Sequence, residues 1–153
     1  MNHLSMPQCE LCDADPATTI FRSEKWRVVR VTGVEGDAFP GFCRVVWNAH
    51  VKELTDLAPA DRQQFMEAVF RVESALRASL APAKMNVASL GNLTPHLHWH
   101  VIPRFADDPA FPSPIWAVDL AVAASLDTLE AKHRCGTENG EWEEAVRRAL
   151  ESV

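Results

Sequence analysis

The chain has 153 residues, 47% of them hydrophobic and 24% charged, with a net charge of −6. That length suits one domain with a proper core, and the composition is that of an ordinary soluble globular protein. The acidic balance argues against a surface that binds a nucleic-acid backbone. No apolar run reaches membrane-spanning length and the first residues lack the basic and apolar regions of a signal peptide, so a cytoplasmic chain with no membrane partner is expected.

In chain order, Cys9 and Cys12 come first, separated by two residues in a polar knuckle that ends at Pro16. In a reducing compartment this spacing points to metal binding or redox work rather than a disulfide framework. Residues 18–21 and 25–31 are β-branched and aromatic, which predicts two strands. Gly33, Gly36, Pro40 and Gly41 punctuate a loop; residues 42–47 predict a third strand, leading to His50. Pro59 and Asp61 mark a helix start, and Phe65, Ala68, Val69, Val72 and Leu76 recur on one face. Gln63, Gln64, Glu67, Arg71 and Glu73 take its wet side, and Pro82 stops it. Residues 84–90 predict a strand, 91–95 a turn and 96–102 a further strand; 106–116 is irregular. Two amphipathic helices, about 118–133 and 140–151, close the chain, the second with Trp142, Ala145, Val146, Ala149 and Leu150 on one face. Strands with helices segregated between and after them predict an α+β fold: an antiparallel sheet of about five strands, one long helix packed on it, and C-terminal helices.

The densest chemistry lies at His96, His98 and His100, which alternate with Leu97, Trp99 and Val101. Alternation predicts a strand with three imidazoles on one face, about 6.5–7 Å apart, and the apolar residues on the other. The residue types admit three readings: a wet face that carries histidines, a metal site gripped by the three rings, or nucleophilic catalysis in which a neutral imidazole attacks phosphorus or carbonyl carbon. Trp26 and Val28 are candidates for an aromatic and aliphatic slot but fit the core better.

The stretch His96-Leu97-His98-Trp99-His100-Val101-Ile102, followed by Pro103-Arg104, resembles the signature of the histidine-triad (HIT) superfamily of nucleotidyl hydrolases and transferases, in its bacterial branch. Cys9 and Cys12, Pro40-Gly41 before a strand and His50, the long helix, Asn86 and Trp116 occur in matching order, so the likeness covers about residues 9–116 of a single domain spanning 1–153; residues 117–153 form a C-terminal helical extension. The resemblance implies a homodimer that cleaves at the α-phosphate of a purine nucleotide derivative, either a dinucleoside polyphosphate or a nucleoside phosphoramidate. His98 would be the nucleophile. The carbonyl of His96 would hold one of its ring nitrogens, and His100 would donate to the phosphate or bridging oxygen. Asn86, Gly91, Asn92 and Thr94 would cradle the non-bridging oxygens. No catalytic cofactor is implied. The alternatives are a non-catalytic nucleotide sensor on the same scaffold and a metal-dependent enzyme using the three histidines.

Related bacterial proteins also place zinc on positions matching Cys9, Cys12, His50 and His96, the ligand count of a closed tetrahedral site. Such a zinc would be structural, stapling the knuckle to the sheet; the alternative is two reduced thiols in a loop. Cys43 and Cys135 read as ordinary thiols, and His3 and His133 as solvent-exposed. The chain departs from the family pattern in three places. Phe42 stands where many members have a supporting histidine, and Leu93 occupies the register of a hydroxyl that helps the leaving group depart. No acidic residue matches the ribose-binding position around 31–36, although Asp37 is close.

Overall fold

A computed structural model describes residues 9–13, 15–119 and 140–153. Five strands, β1 (Thr19–Arg22), β2 (Trp26–Arg30), β3 (Cys43–Trp47), β4 (Lys84–Ala88) and β5 (His98–Arg104), form one antiparallel sheet in the order β1-β2-β3-β5-β4. Helix α1 (Gly33–Ala38) stands between β2 and β3, α2 (Pro59–Leu80) between β3 and β4, and α3 (Glu141–Leu150) ends the chain. The α+β architecture is therefore the one expected from the order of elements. The helix expected at about 118–133, with Cys135 and His133, and the N-terminal His3 lie outside the described residues.

Helix α2 forms where the periodicity placed it. Phe65, Ala68, Val69, Val72 and Leu76 are fully buried against Trp26, Val28, Val45 and Val101 of the sheet, and Phe65 meets Trp47 edge-on at 5.4 Å. Burying such a Val, Leu or Phe side chain stabilises the fold by roughly 1.5–3 kcal/mol each. Trp26 and Val28 are thus core residues. The helix ends at Ala81, in the left-handed region, with Pro82 next. Trp142, Val146 and Leu150 of α3 are buried in the same core.

One expectation changes. The stretch predicted as a loop contains α1, packed so closely that a Cβ on Gly36 would sit 2.2 Å from the Val31 carbonyl oxygen. Of the three readings of the histidines, burial removes the wet face. Phe39, Phe42, Ile102, Ala110 and Ile115 form a second apolar cluster over it, and His96, His98 and His100 are all buried. Both faces of β5 are covered, which alternation alone does not distinguish from a half-buried strand.

That cover is pinned by one ion pair. Arg104 donates from Nε and Nη2 to Asp108 at 2.7 and 2.9 Å, from Nη2 to the Ser113 carbonyl, and from Nη1 to the Asn86 side-chain carbonyl at 2.7 Å. Asp108 also accepts the backbone N–H groups of Phe105, Ala110 and Phe111. The irregular stretch after β5 therefore wraps around a buried carboxylate.

Candidate active site

Strand β5 begins at His98, so His96 lies just before it and its ring turns away from the other two. His96 Nε2 is 2.6 Å from the Trp47 carbonyl oxygen. Since a carbonyl only accepts, Nε2 carries the proton and Nδ1 keeps its lone pair. That lone pair faces Cys9 Sγ at 3.4 Å and Cys12 Sγ at 3.6 Å, while His50 Nδ1 is 3.3 Å from Cys12 Sγ. All four ligand atoms lie within 4.8 Å of one another. A tetrahedral zinc with bonds of about 2.3 Å to sulfur and 2.0–2.1 Å to nitrogen spaces its ligands about 3.3–3.8 Å apart, so the residues present fit that ion. The knuckle is fastened from below by Arg27, which donates to the Leu11 carbonyl at 2.5 Å and to Asn48 Oδ1 at 3.1 Å.

This arrangement corrects two expectations. The three imidazoles do not share an evenly spaced row, so they form no common metal site. The His96 ring is committed to the cysteine cluster and to Trp47, and meets His98 only through its backbone carbonyl.

That backbone sets the state of His98. The His96 carbonyl oxygen is 2.6 Å from His98 Nδ1, so Nδ1 carries the proton and Nε2 presents a lone pair. His98 Nε2 is 3.1 Å from His100 Nε2, which must then donate, and the two rings meet edge-on at 4.7 Å. His100 Nδ1 is left as a buried acceptor with no partner among the described residues. Beside it lies the Phe42 ring at 5.6 Å, which offers no donor. Burial holds His98 below the ordinary histidine range, with Arg44 acting in the same direction and the His96 carbonyl opposing it. Burial, His98 and Arg44 together push His100 down to about 3. Both rings are therefore neutral near pH 7.

The two rings open onto a cavity of about 350 Å³, within the range of small-molecule sites. The turn Gly91–Thr94 forms one wall; Gly91 has φ of +82°, where glycine is favoured. Trp116 closes over His100 with ring centroids 4.9 Å apart. Glu10 and Leu11, between the two cysteines, reach the same cavity, as do Glu35 and Arg44. Glu35 and Arg44 are paired at 3.1 Å.

Of the residues singled out in the sequence, His98, His100, Gly91, Asn92 and Thr94 line this cavity, while Cys9, Cys12, His50 and His96 converge next to it. Asn86 does not line it. Its side-chain carbonyl is held by Arg104, so its place is in the clamp under the cover. Asp37 faces a separate groove near Trp142. The acidic residues that line the cavity are Glu10 and Glu35, and the sequence could not orient Glu35 because α1 was read as loop. Arg44 was also missed, although a charged residue in the middle of the apolar strand 42–47 is a visible signal. Leu93 stands at the cavity mouth, 99% exposed.

The HIT domain model matches residues 16–107. Among solved structures, the chain is similar to a histidine triad protein of Bradyrhizobium japonicum, with 26% identity over 88% of this chain and 92% of that one and a TM-score of 0.65. It is also similar to a histidine triad protein of Marinobacter aquaeolei, with 26% identity, 76% and 91% of the two chains covered, and a TM-score of 0.59. A HIT-family protein of Bacillus subtilis, 18% identical with 87% and 97% coverage and a TM-score of 0.59, shares the fold. No curated protein matches the sequence. With the domain match spanning most of the chain, and with His98 and His100 set edge to edge on its fifth strand, the chain belongs to the HIT family.

Proposed function

We propose that the chain is a nucleotide hydrolase or transferase that cleaves at the α-phosphate of a purine nucleotide derivative, a dinucleoside polyphosphate or a nucleoside phosphoramidate, through a covalent nucleotidyl-histidine intermediate. The observation that carries this reading is the hydrogen bond at 2.6 Å from His98 Nδ1–H to the His96 carbonyl, which leaves the Nε2 lone pair free beside the cavity. Family members bind or cleave nucleotides, and some are not catalytic.

In the first step that lone pair attacks phosphorus. A P–N bond forms as the bond to the leaving oxygen or nitrogen breaks, and the departing group keeps the electron pair and takes a proton from solvent. His100 Nε2–H, already aimed at this point, donates toward the phosphoryl or bridging oxygen as charge grows there. In the second step water attacks phosphorus, the P–N bond breaks with its electron pair returning to His98, and the water's proton passes to solvent, balancing the one taken up by the leaving group. Imidazole serves both steps because it is a competent nucleophile and a good leaving group. The Gly91–Thr94 turn, with Asn92 and Thr94, cradles the non-bridging oxygens. His96 acts through its carbonyl.

Zinc on Cys9, Cys12, His50 and His96 would tie the knuckle to the sheet, with His96 linking that tie to the nucleophile; its role is structural. The reading also takes residues 1–153 as one cytoplasmic domain acting on a small nucleotide as a homodimer. The open edge of β4 and the exposed Phe70 and Val87 support that dimer. Among the described residues no helix is long and apolar enough to cross a membrane.

The test is hydrolysis of diadenosine polyphosphates and adenosine 5′-phosphoramidate by wild type and His98→Ala, with chelator present. Chelator-resistant release of AMP, lost in the variant, is expected. Binding without release by wild type would support instead a nucleotide-binding protein on this scaffold. Two observations favour that second reading: the unpartnered His100 Nδ1 beside Phe42, and the absence of a hydroxyl at Leu93.

A further inference from the structure

We propose that Arg44 is the phosphate-binding cation of this cavity, held in reserve by Glu35 and released to an anionic phosphoryl group arriving at His98. The proposal rests on the reading that the cavity takes a nucleotide phosphate.

Arg44 is the register partner of His100 on the adjacent strand, and residues directly opposite on one face have Cβ atoms about 4.5–5.5 Å apart. Among the described residues lining the cavity it is the only lysine or arginine. Its guanidinium carbon lies 5.8 Å from the centre of the Phe42 ring, and that ring in turn lies 5.6 Å from His100. The aromatic ring thus braces the cation beside the reaction centre. The need for such a cation follows from the charges that face the cavity. Glu10 and Glu35 also reach it, and the whole chain carries a charge of −6. Among the described residues an arriving phosphate meets no other lysine or arginine there.

The guanidinium also has capacity to spare. Its Nε is buried without a hydrogen-bond partner among the described residues, and Nη2 meets Glu35. The planar fork of arginine matches phosphate oxygens with two parallel N–H groups. Its ion pair with Glu35 is partly exposed, with side-chain exposures of 28% and 25%, and pairs of that kind are weak. A phosphoryl group can therefore displace the carboxylate. Glu35 acts as a stand-in anion that keeps Arg44 extended along the cavity wall.

The experiment is calorimetric titration of AMP and of adenosine into the zinc-loaded full chain, for wild type, Arg44→Gln, Arg44→Lys and Glu35→Gln. Arg44→Gln should weaken AMP binding by about 10- to 100-fold, the range for a charged hydrogen bond, and leave adenosine within about twofold. Arg44→Lys should recover part of the loss. Glu35→Gln should tighten AMP binding, because it removes the competing anion. A merely structural ion pair would make Glu35→Gln and Arg44→Gln weaken AMP alike, and that result would overturn the proposal. Equal losses for AMP and adenosine, or no loss of AMP, would overturn it too. If Arg44→Gln does not fold, Arg44→Lys and Glu35→Gln decide by the same opposite signs. Wild type that binds AMP with this pattern but hydrolyses nothing sinks the hydrolase reading and leaves Arg44 in place. Wild type that binds neither ligand sinks both.

Discussion

Replacing Asp108 with Ala should be among the most damaging single changes in this fold, although Asp108 lies outside the histidine motif. The carboxylate accepts two hydrogen bonds from Arg104 at 2.7 and 2.9 Å and three from backbone N–H groups, those of Ala110 and Phe111 at 2.9 and 2.7 Å. Both side chains of the pair are essentially inaccessible, at 2% and 1%. Removing the carboxylate strands a buried guanidinium, a change that costs about 3–5 kcal/mol against a total stability of roughly 5–15 kcal/mol. At about 2–4 °C per kcal/mol for a chain of this size, the midpoint should fall by roughly 6–20 °C. Arg104→Met should cost less, about 1–3 kcal/mol, since Asp108 would keep its three backbone donors. The assay is urea unfolding followed by tryptophan fluorescence at constant m-value. The same variant should weaken AMP binding, because Arg104 holds the Ser113 carbonyl near Trp116, which caps His100. An Asp108→Ala loss under about 1 kcal/mol, or a larger loss for Arg104→Met, would refute the clamp.

Two further outcomes are expected. Purified protein should carry about one zinc per chain by elemental analysis, and Cys12→Ser should release it and lower the melting temperature, because structural metal binding is folding free energy; a metal-free wild type with unchanged stability would count against the site. On acidification His100 should destabilise the fold. Its folded-state pKa is depressed to about 3, so the unfolded chain binds its proton first, and the stability is full above the ordinary range near 6.5 and lost as pH falls toward 3. The slope is at most about 1.4 kcal/mol per pH unit. The stability gap between wild type and His100→Gln should therefore narrow from pH 7 to pH 4 in parallel melts; a constant gap would exclude this linkage. Activity should keep no protonated-histidine requirement above pH 6.5.

Much of the frame was legible in the chain. The spacing of Phe65, Ala68, Val69, Val72 and Leu76 reported α2 because helical periodicity is a local property, and Trp142, Val146 and Leu150 did the same for α3. The alternation at 96–102 reported a strand but not which faces were covered, since the second cover comes from Phe39, Ala110 and Ile115, distant in sequence. Helix α1 escaped because glycine punctuates loops and also permits close helix packing, and only the contact between Gly36 and the Val31 carbonyl distinguishes the two.

The sequence by itself determined the chemistry available: three alternating histidines, two cysteines at metal-binding spacing, and an α+β scaffold to hold them. These follow from residue type and short-range periodicity. Tertiary structure alone decided how the groups were divided. It sent the ring of His96 to the cysteines and its carbonyl to His98, placed Asn86 in the Arg104 clamp, and brought Glu35 and Arg44 together at the cavity wall. Which donors and acceptors come within about 3 Å of one another is set by strands and loops that the linear order keeps far apart.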